Sequence, residues 1–258
     1  MDADRTRLRL DLAYDGRPFH GFARQVDQRT VQGDLEAALT RVARGAPVHT
    51  VGAGRTDAGV HAEHQVVHAD VPADLPLLAD PDRLRRALDV TCGPAITIWR
   101  ARRVPASFDA RFSATLRRYR YHLCDAPALS PLRRHEVWHV GPPALDVHAM
   151  EAGGAHLIGE HDFSSFCRRQ GDQHLVRRVS RLRVRRRPRG IVEIDVDGPG
   201  FCQQMVRSIA GCLLAVGRGR RPPAWVAQAR EARDREAVGT VAPPHGLVLR
   251  GVRYGKGA

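Results

Sequence analysis

Arg118-Tyr119-Arg120-Tyr121-His122-Leu123 alternates aromatic or apolar residues with charged ones, and it begins a second pass through one order of elements. A period of two marks a strand with one buried face. The first pass starts the same way, at Leu8-Arg9-Leu10-Asp11-Leu12-Ala13-Tyr14. Residues 31–43 follow with helical spacing behind Thr30, a residue suited to an N-cap. Residues 47–51 and 65–69 read as strands, 80–88 as a helix and 95–100 as a strand. After Leu123 the order returns. Residues 147–158 read as a helix. Residues 179–185 and 191–196 read as strands joined by a turn with Pro188 and Gly190. Residues 204–216 and 224–233 read as helices, the second behind Pro222-Pro223, and 247–252 closes as a strand.

Two β-α-β-β-α-β passes match the split βαβ pattern. They predict an α+β fold with two ferredoxin-like halves, 1–104 and 105–258. The halves are expected to share one largely antiparallel sheet, with helices on one face and the active-site cleft between them. The stretch 102–117 has no flexible-linker composition, which favours one continuous sheet over two beads. Helices on one face leave the other free for a ligand, and a sheet face suits RNA.

With 258 residues the chain is long enough for a sizeable core. Its net charge is +13, and the single lysine is Lys256, so arginine carries nearly all the positive charge. Arginine forks onto phosphates and stacks on bases. Such an excess fits a polyanionic partner, and equally a general arginine bias of the source. The start, Met1-Asp2-Ala3-Asp4-Arg5, lacks a signal pattern, and the apolar run Ala210-Gly211-Cys212-Leu213-Leu214-Ala215-Val216 is too short to span a bilayer. Cysteines 92, 124, 167, 202 and 212 show no C-x-x-C spacing. They read as reduced, mostly buried thiols of a cytosolic protein.

One short stretch concentrates chemistry. Gly52-Ala53-Gly54-Arg55-Thr56-Asp57-Ala58-Gly59-Val60-His61 frames one carboxylate with small residues and an arginine. Small residues let backbone or a flat ligand come close. The arginine can keep the carboxylate ionised or grip phosphate. A turn whose aspartate caps an amide is the other reading. His61, His64 and His68 have helical spacing but run into an apparent strand, which argues against a metal cluster. Along 181–185, alternation puts Arg181, Arg183 and Arg185 on one face and Leu182 and Val184 on the other. That arginine face is either a solvated surface or an RNA platform. A P-loop and a complete dinucleotide loop are both missing, so no cofactor is expected.

Five motifs in order resemble the TruA-type tRNA pseudouridine synthases across nearly the whole chain. They are Tyr14-Asp15-Gly16-Arg17-Pro18-Phe19-His20-Gly21-Phe22-Ala23-Arg24-Gln25 with Thr30-Val31-Gln32 and Leu35-Glu36; the Asp57 stretch; Phe108-Asp109-Ala110-Arg111-Phe112-Ser113-Ala114 running to Tyr121; His161-Asp162-Phe163-Ser164-Ser165-Phe166; and Gly200-Phe201-Cys202-Gln203-Gln204-Met205-Val206-Arg207. Phe22-Ala23 stands where the family usually has Trp-Gln, and Asp109 where it often has His. The resemblance implies cofactor-free isomerisation of uridine in the anticodon stem-loop of tRNA, at positions 38 to 40, by a cytoplasmic homodimer. It makes Asp57 the essential carboxylate, Arg207 its cationic partner and Tyr119 the residue against the target base. Arg55, Arg24, Gln25 and Arg111 would then contact RNA.

Overall fold

The alternation at Leu8, Leu10, Leu12 and Tyr14 becomes strand β1 (Arg5–Tyr14), with these four side chains buried. The computed structural model describes residues 4–169, 171 and 174–255; Lys256 lies outside them. The chain divides into two compact units, one of residues 1–115 with 249–258, the other of 116–248.

In the first unit β1 is followed by α1 (Val31–Val42), β2 (Thr50–Gly52), β3 (His61–Pro72), α2 (Pro81–Cys92) and β4 (Ile96–Val104). Both helix starts are capped, the first by the Thr30 read from the sequence and the second by Asp80, which the sequence reading places inside the helix. The Thr30 hydroxyl accepts from the Gly33 amide at 3.1 Å, and Asp80 Oδ1 accepts from the Arg83 amide at 2.9 Å. Leu84, Leu88 and Cys92 recur one turn apart and are buried, and α2 packs on β4. Strand β1 lies between β4 and β3, antiparallel to both, with Leu10 opposite Val67 and Ala101. From Gln65 to Ala69, β3 is buried at every residue. Val66 joins Ala53, Phe108 and Ala110 in a small core that Val104, Val252 and Tyr254 complete. Those last two lie on β11 (Leu247–Tyr254), which runs beside β3.

The second unit holds β5 (Ala114–Cys124), β6 (Trp138–His139), α3 (Val147–Ala155), β7 (Gly159–Asp162), β8 (Val176–Val179), β9 (Arg181–Arg187), β10 (Ile191–Gly198), α4 (Met205–Gly217) and α5 (Trp225–Glu231). Strand β10 is antiparallel to both β5 and β9. Helix α3 packs on β9, close enough that a Cβ on Gly154 would sit 2.3 Å from Leu182 Cδ2. Apart from an occasional face, α4 is buried all round. The α+β class and the largely antiparallel pairing are as the sequence predicts. The first β-α-β-β-α-β pass appears element for element. The second carries additions that its sequence hides: the two-residue β6, and the β7–β8 ribbon, whose second strand breaks from β9 at Ser180.

The cysteines depart from expectation. Cys167 and Cys202 form a disulfide, with Cα atoms 5.7 Å apart and a sequence separation of 35. The bond joins the end of the Ser164–Phe166 turn to the segment before α4, so no local spacing announces it. Cys92, Cys124 and Cys212 are buried free thiols, and burial pushes Cys92 and Cys212 up to about 12.

Candidate active site

Asp57 sits in the first unit, on the loop between β2 and β3, and the segment after β1 clasps that loop by close backbone approach. Gly21 has φ +103°, a conformation that favours glycine; a Cβ there would lie 3.0 Å from the Thr56 carbonyl oxygen and 3.5 Å from the Asp57 carbonyl carbon. A Cβ on Gly16 would lie 2.1 Å from the Val60 oxygen, and one on Gly52 would lie 2.5 Å from the Phe22 ring. Hydrogen bonds fix the same contacts. The Phe22 amide donates to the Thr56 carbonyl at 3.0 Å. Tyr14 Oη and Thr56 Oγ1 are 2.8 Å apart, and Gln65 Nε2 donates to the Gly54 carbonyl at 2.8 Å. The Val60 amide closes the turn onto the Asp57 carbonyl at 3.1 Å. Burial holds the Tyr14 phenol up at about 12, so it stays a neutral hydrogen-bonding prop. Asp57 itself is half-buried and Arg55 is exposed.

Arg24 and Gln25 lie near the far end of the clasp. Gln25 Nε2 donates to the His20 carbonyl at 2.8 Å. Arg24 Nη1 donates to the buried Glu36 carboxylate at 3.1 Å, which also accepts from the Thr50 amide at 2.9 Å and from Gln32 Nε2 at 3.1 Å. The Arg24 side chain is still 66% exposed, so one guanidinium edge holds the loop while the rest faces outward. His61 and His68 spend ring nitrogens on the backbone: Nδ1 of His61 accepts from the Gly16 amide at 3.1 Å, and Nδ1 of His68 from the Ala110 amide at 2.9 Å. Burial, then Arg7, holds His68 below the usual imidazole range, which keeps it a neutral acceptor.

Arg111 belongs to a tight turn in the same unit. Asp109 Oδ1 accepts from the amides of Arg111 at 2.7 Å and Phe112 at 2.8 Å. Asp109 thus builds the turn. The turn rests on Phe108 and Ala110, which pack with Ala53 at the root of the Asp57 loop.

Tyr119 and Arg207 lie in the second unit. Tyr119 is on β5, opposite Val196, with Tyr121 on the same face opposite Ile194; Arg120 and Arg118 face the other way. That is the alternation read from the sequence. Tyr119 is 7% exposed and meets Phe201 edge-to-face at 5.3 Å. Arg207 is in the first turn of α4, and its Nε donates to the Ala242 carbonyl at 2.7 Å. Tyr121 Oη donates to the neighbouring Pro243 carbonyl at 2.8 Å.

The arginine face of β9 is not a bare platform. Strand β10 sets Glu193, Asp195 and Asp197 beside it. Arg120 Nε reaches Asp195 at 2.6 Å, Arg185 also binds Asp195, and Arg187 reaches Glu193 at 3.0 Å. Burial raises Asp195, but Arg120 and Arg185 outweigh it and hold the carboxyl below the usual range. Leu182 and Val184 are buried on the opposite face.

A family model described as tRNA pseudouridine synthase matches residues 12–113 and 155–255. A tRNA pseudouridine synthase A of Frankia casuarinae is 52% identical over 96% of this chain and 89% of its own length. One from Streptomyces griseus is 43% identical over 96% and 88%, and one from Brevibacillus brevis 43% identical over 96% and 99%. None of the described helices is long and apolar enough to cross a membrane.

Proposed function

Because the chain belongs to the tRNA pseudouridine synthase family, an isomerase family, we propose that it converts uridine to pseudouridine in the anticodon stem-loop of tRNA, at positions 38 to 40, with Asp57 as the essential carboxylate. The observation that carries this reading is the construction of the Asp57 loop. Three glycines, one tyrosine and one glutamine hold the backbone around a half-buried carboxylate by close contacts. Placement that tight suits a group that must meet a reacting atom.

The reaction breaks the C1′–N1 bond, turns the base and joins C1′ to C5. Atoms neither enter nor leave, so the residues themselves account for the chemistry. An ionised Asp57 can attack C1′ as a nucleophile, take the 2′ proton, or add to the base. In each route a proton must leave C5, and we assign that transfer to the Tyr119 hydroxyl. Arg207 supplies a fixed cation that favours the charged carboxylate, and Arg55, Arg24, Gln25 and Arg111 meet the RNA. Resemblance to the family supports a homodimer in the cytoplasm.

Pseudouridine mapping of tRNA from cells with and without the protein tests the reading. The expected result is loss of pseudouridine at positions 38 to 40, restored by the parent chain and not by Asp57→Asn. Unchanged tRNA in the deletion strain would refute it.

A further inference from the structure

Phe112 is held rigidly and left exposed. The turn Asp109–Ser113 closes with the Ser113 amide on the Asp109 carbonyl at 3.0 Å and the Asp109 amide on Ser113 Oγ at 3.1 Å. The surrounding structure pins it from below. Tyr254 Oη donates to the Ala110 carbonyl at 2.8 Å, His68 accepts the Ala110 amide, and Arg7 Nη1 donates to the Phe108 carbonyl at 2.9 Å. Phe108 and Ala110 are buried against Ala53 and Val66. Yet Phe112, at the apex, is 80% exposed. Hydrophobic burial does not explain a large aromatic in that position. The Arg111 guanidinium lies 5.3 Å from its ring centroid, so a flat apolar face and a cation are presented together.

Resting on the reading of tRNA as substrate, we propose that Phe112 is a stacking platform for an unpaired nucleobase beside the target uridine, and that Arg111 takes an adjoining phosphate. A base offers a π-face to the ring, and the phosphate offers the charge that complements the guanidinium. The base of the turn, Phe108 and Ala110, packs with Ala53 at the root of the Asp57 loop, within one unit. Phe112 is a contact for the substrate, separate from the reacting atoms.

Binding to an anticodon stem-loop RNA, and to the same stem as a blunt duplex, tests this. Phe112→Ala should weaken stem-loop binding about 5- to 150-fold, the range that loss of base stacking gives. Phe112→Trp should keep parental affinity, and the duplex should bind parent and Phe112→Ala alike. Arg111→Ala should make the log–log salt slope shallower by about 0.7–0.9. Parental stem-loop affinity in Phe112→Ala overturns the platform, and so does an equal loss on the duplex. A loss that comes with a changed oligomeric state in sedimentation assigns the surface to a second copy instead. An unchanged slope removes Arg111 from the contact. If the parent makes no pseudouridine in tRNA, the functional reading itself fails; if it does and Phe112→Ala binds normally, only this inference fails.

Discussion

The loop that carries Asp57 and the segment that leads to Arg207 are built by different mixtures of contact. In the first, backbone touches backbone: glycines 16 and 21 let one loop lie on another, and hydrogen bonds to carbonyls fix it. In the second, side chains share the holding: Phe201 leans on Tyr119, Arg207 Nε reaches the Ala242 carbonyl, and Cys202 is tied to Cys167, while the Arg168 amide donates to the Gln203 carbonyl and the Ala242 amide to the Arg207 carbonyl. A Cβ on Gly200 would meet nothing within 4 Å. Backbone contact fixes a group to tenths of an ångström, because neither surface has a rotamer to change. The backbone that carries Asp57 is held that way, and the segment before Arg207 adds side-chain contacts and a disulfide to its backbone hydrogen bonds.

The sharpest test of the first mode is the group it positions. Asp57→Asn should lower the single-turnover rate by at least about 10⁴-fold and leave tRNA affinity near parental, as for loss of an essential catalytic group. Turnover at a per cent of the parent rate would remove Asp57 from the chemistry. On the other side, Tyr119→Phe keeps the ring packed on Phe201 and deletes only the hydroxyl. It should bind tRNA normally and lose roughly 10²–10⁴-fold in single-turnover rate. A near-parental rate would leave Tyr119 as a packing ring.

The passage from residues to fold explains why one side was easier to read. The alternation at Leu8–Tyr14 and the Thr30 cap are local signals, and each is realised. Asp57 stood out because small residues frame it. What makes glycine necessary at positions 16, 21 and 52 was not legible, since the atoms these glycines avoid come from residues 56–60 and 22, distant in sequence. The disulfide was hidden for the same reason, whereas the β9–β10 charge ladder joins neighbouring strands and depended on their pairing register. Arg181, Arg183 and Arg185 look like a basic face until β10 brings Glu193, Asp195 and Asp197 alongside. Strand β6 is too short for a period, and the helix expected over 147–158 stops at Ala155, with β7 starting at Gly159.

Gly16→Ala probes the close approach directly. It should cost about 10²-fold in turnover while circular dichroism stays native-like, because a shift of about 1 Å at a catalytic group has that effect. Parental turnover would show that the loop can give way. The second unit offers a stability counterpart in Asp125, whose carboxylate is bound by Arg186 at 2.8 and 3.0 Å and by the Leu145 amide at 2.7 Å. Burial raises its pKa, but these bonds outweigh burial and hold it below the usual range. A depressed carboxylate stabilises the fold above its unfolded value of about 3.9, and that stability fades as pH falls through the lower folded value. Arg186→Ala should therefore destabilise by about 2 kcal/mol at pH 7, with the gap to the parent closing below about pH 4 in denaturant titrations. A gap independent of pH would mean that Arg186 acts by packing alone. Gly200→Ala closes the series. With open space around it, the change should stay within about 0.5 kcal/mol in stability and leave turnover parental; a tenfold loss of rate would show that this segment, too, is built to a close fit.

The Gly16 contact also has a consequence at the level of the codon. Every single-nucleotide missense change at a glycine codon introduces a residue with at least a Cβ. At position 16 that atom would fall 2.1 Å from the Val60 oxygen, so alanine is the mildest error the gene can make there. The site around Asp57 thus has no gentle neighbours in sequence space at this position. A saturation library of the gene should return glycine alone at codon 16 among active clones, and a broad spectrum at codon 200.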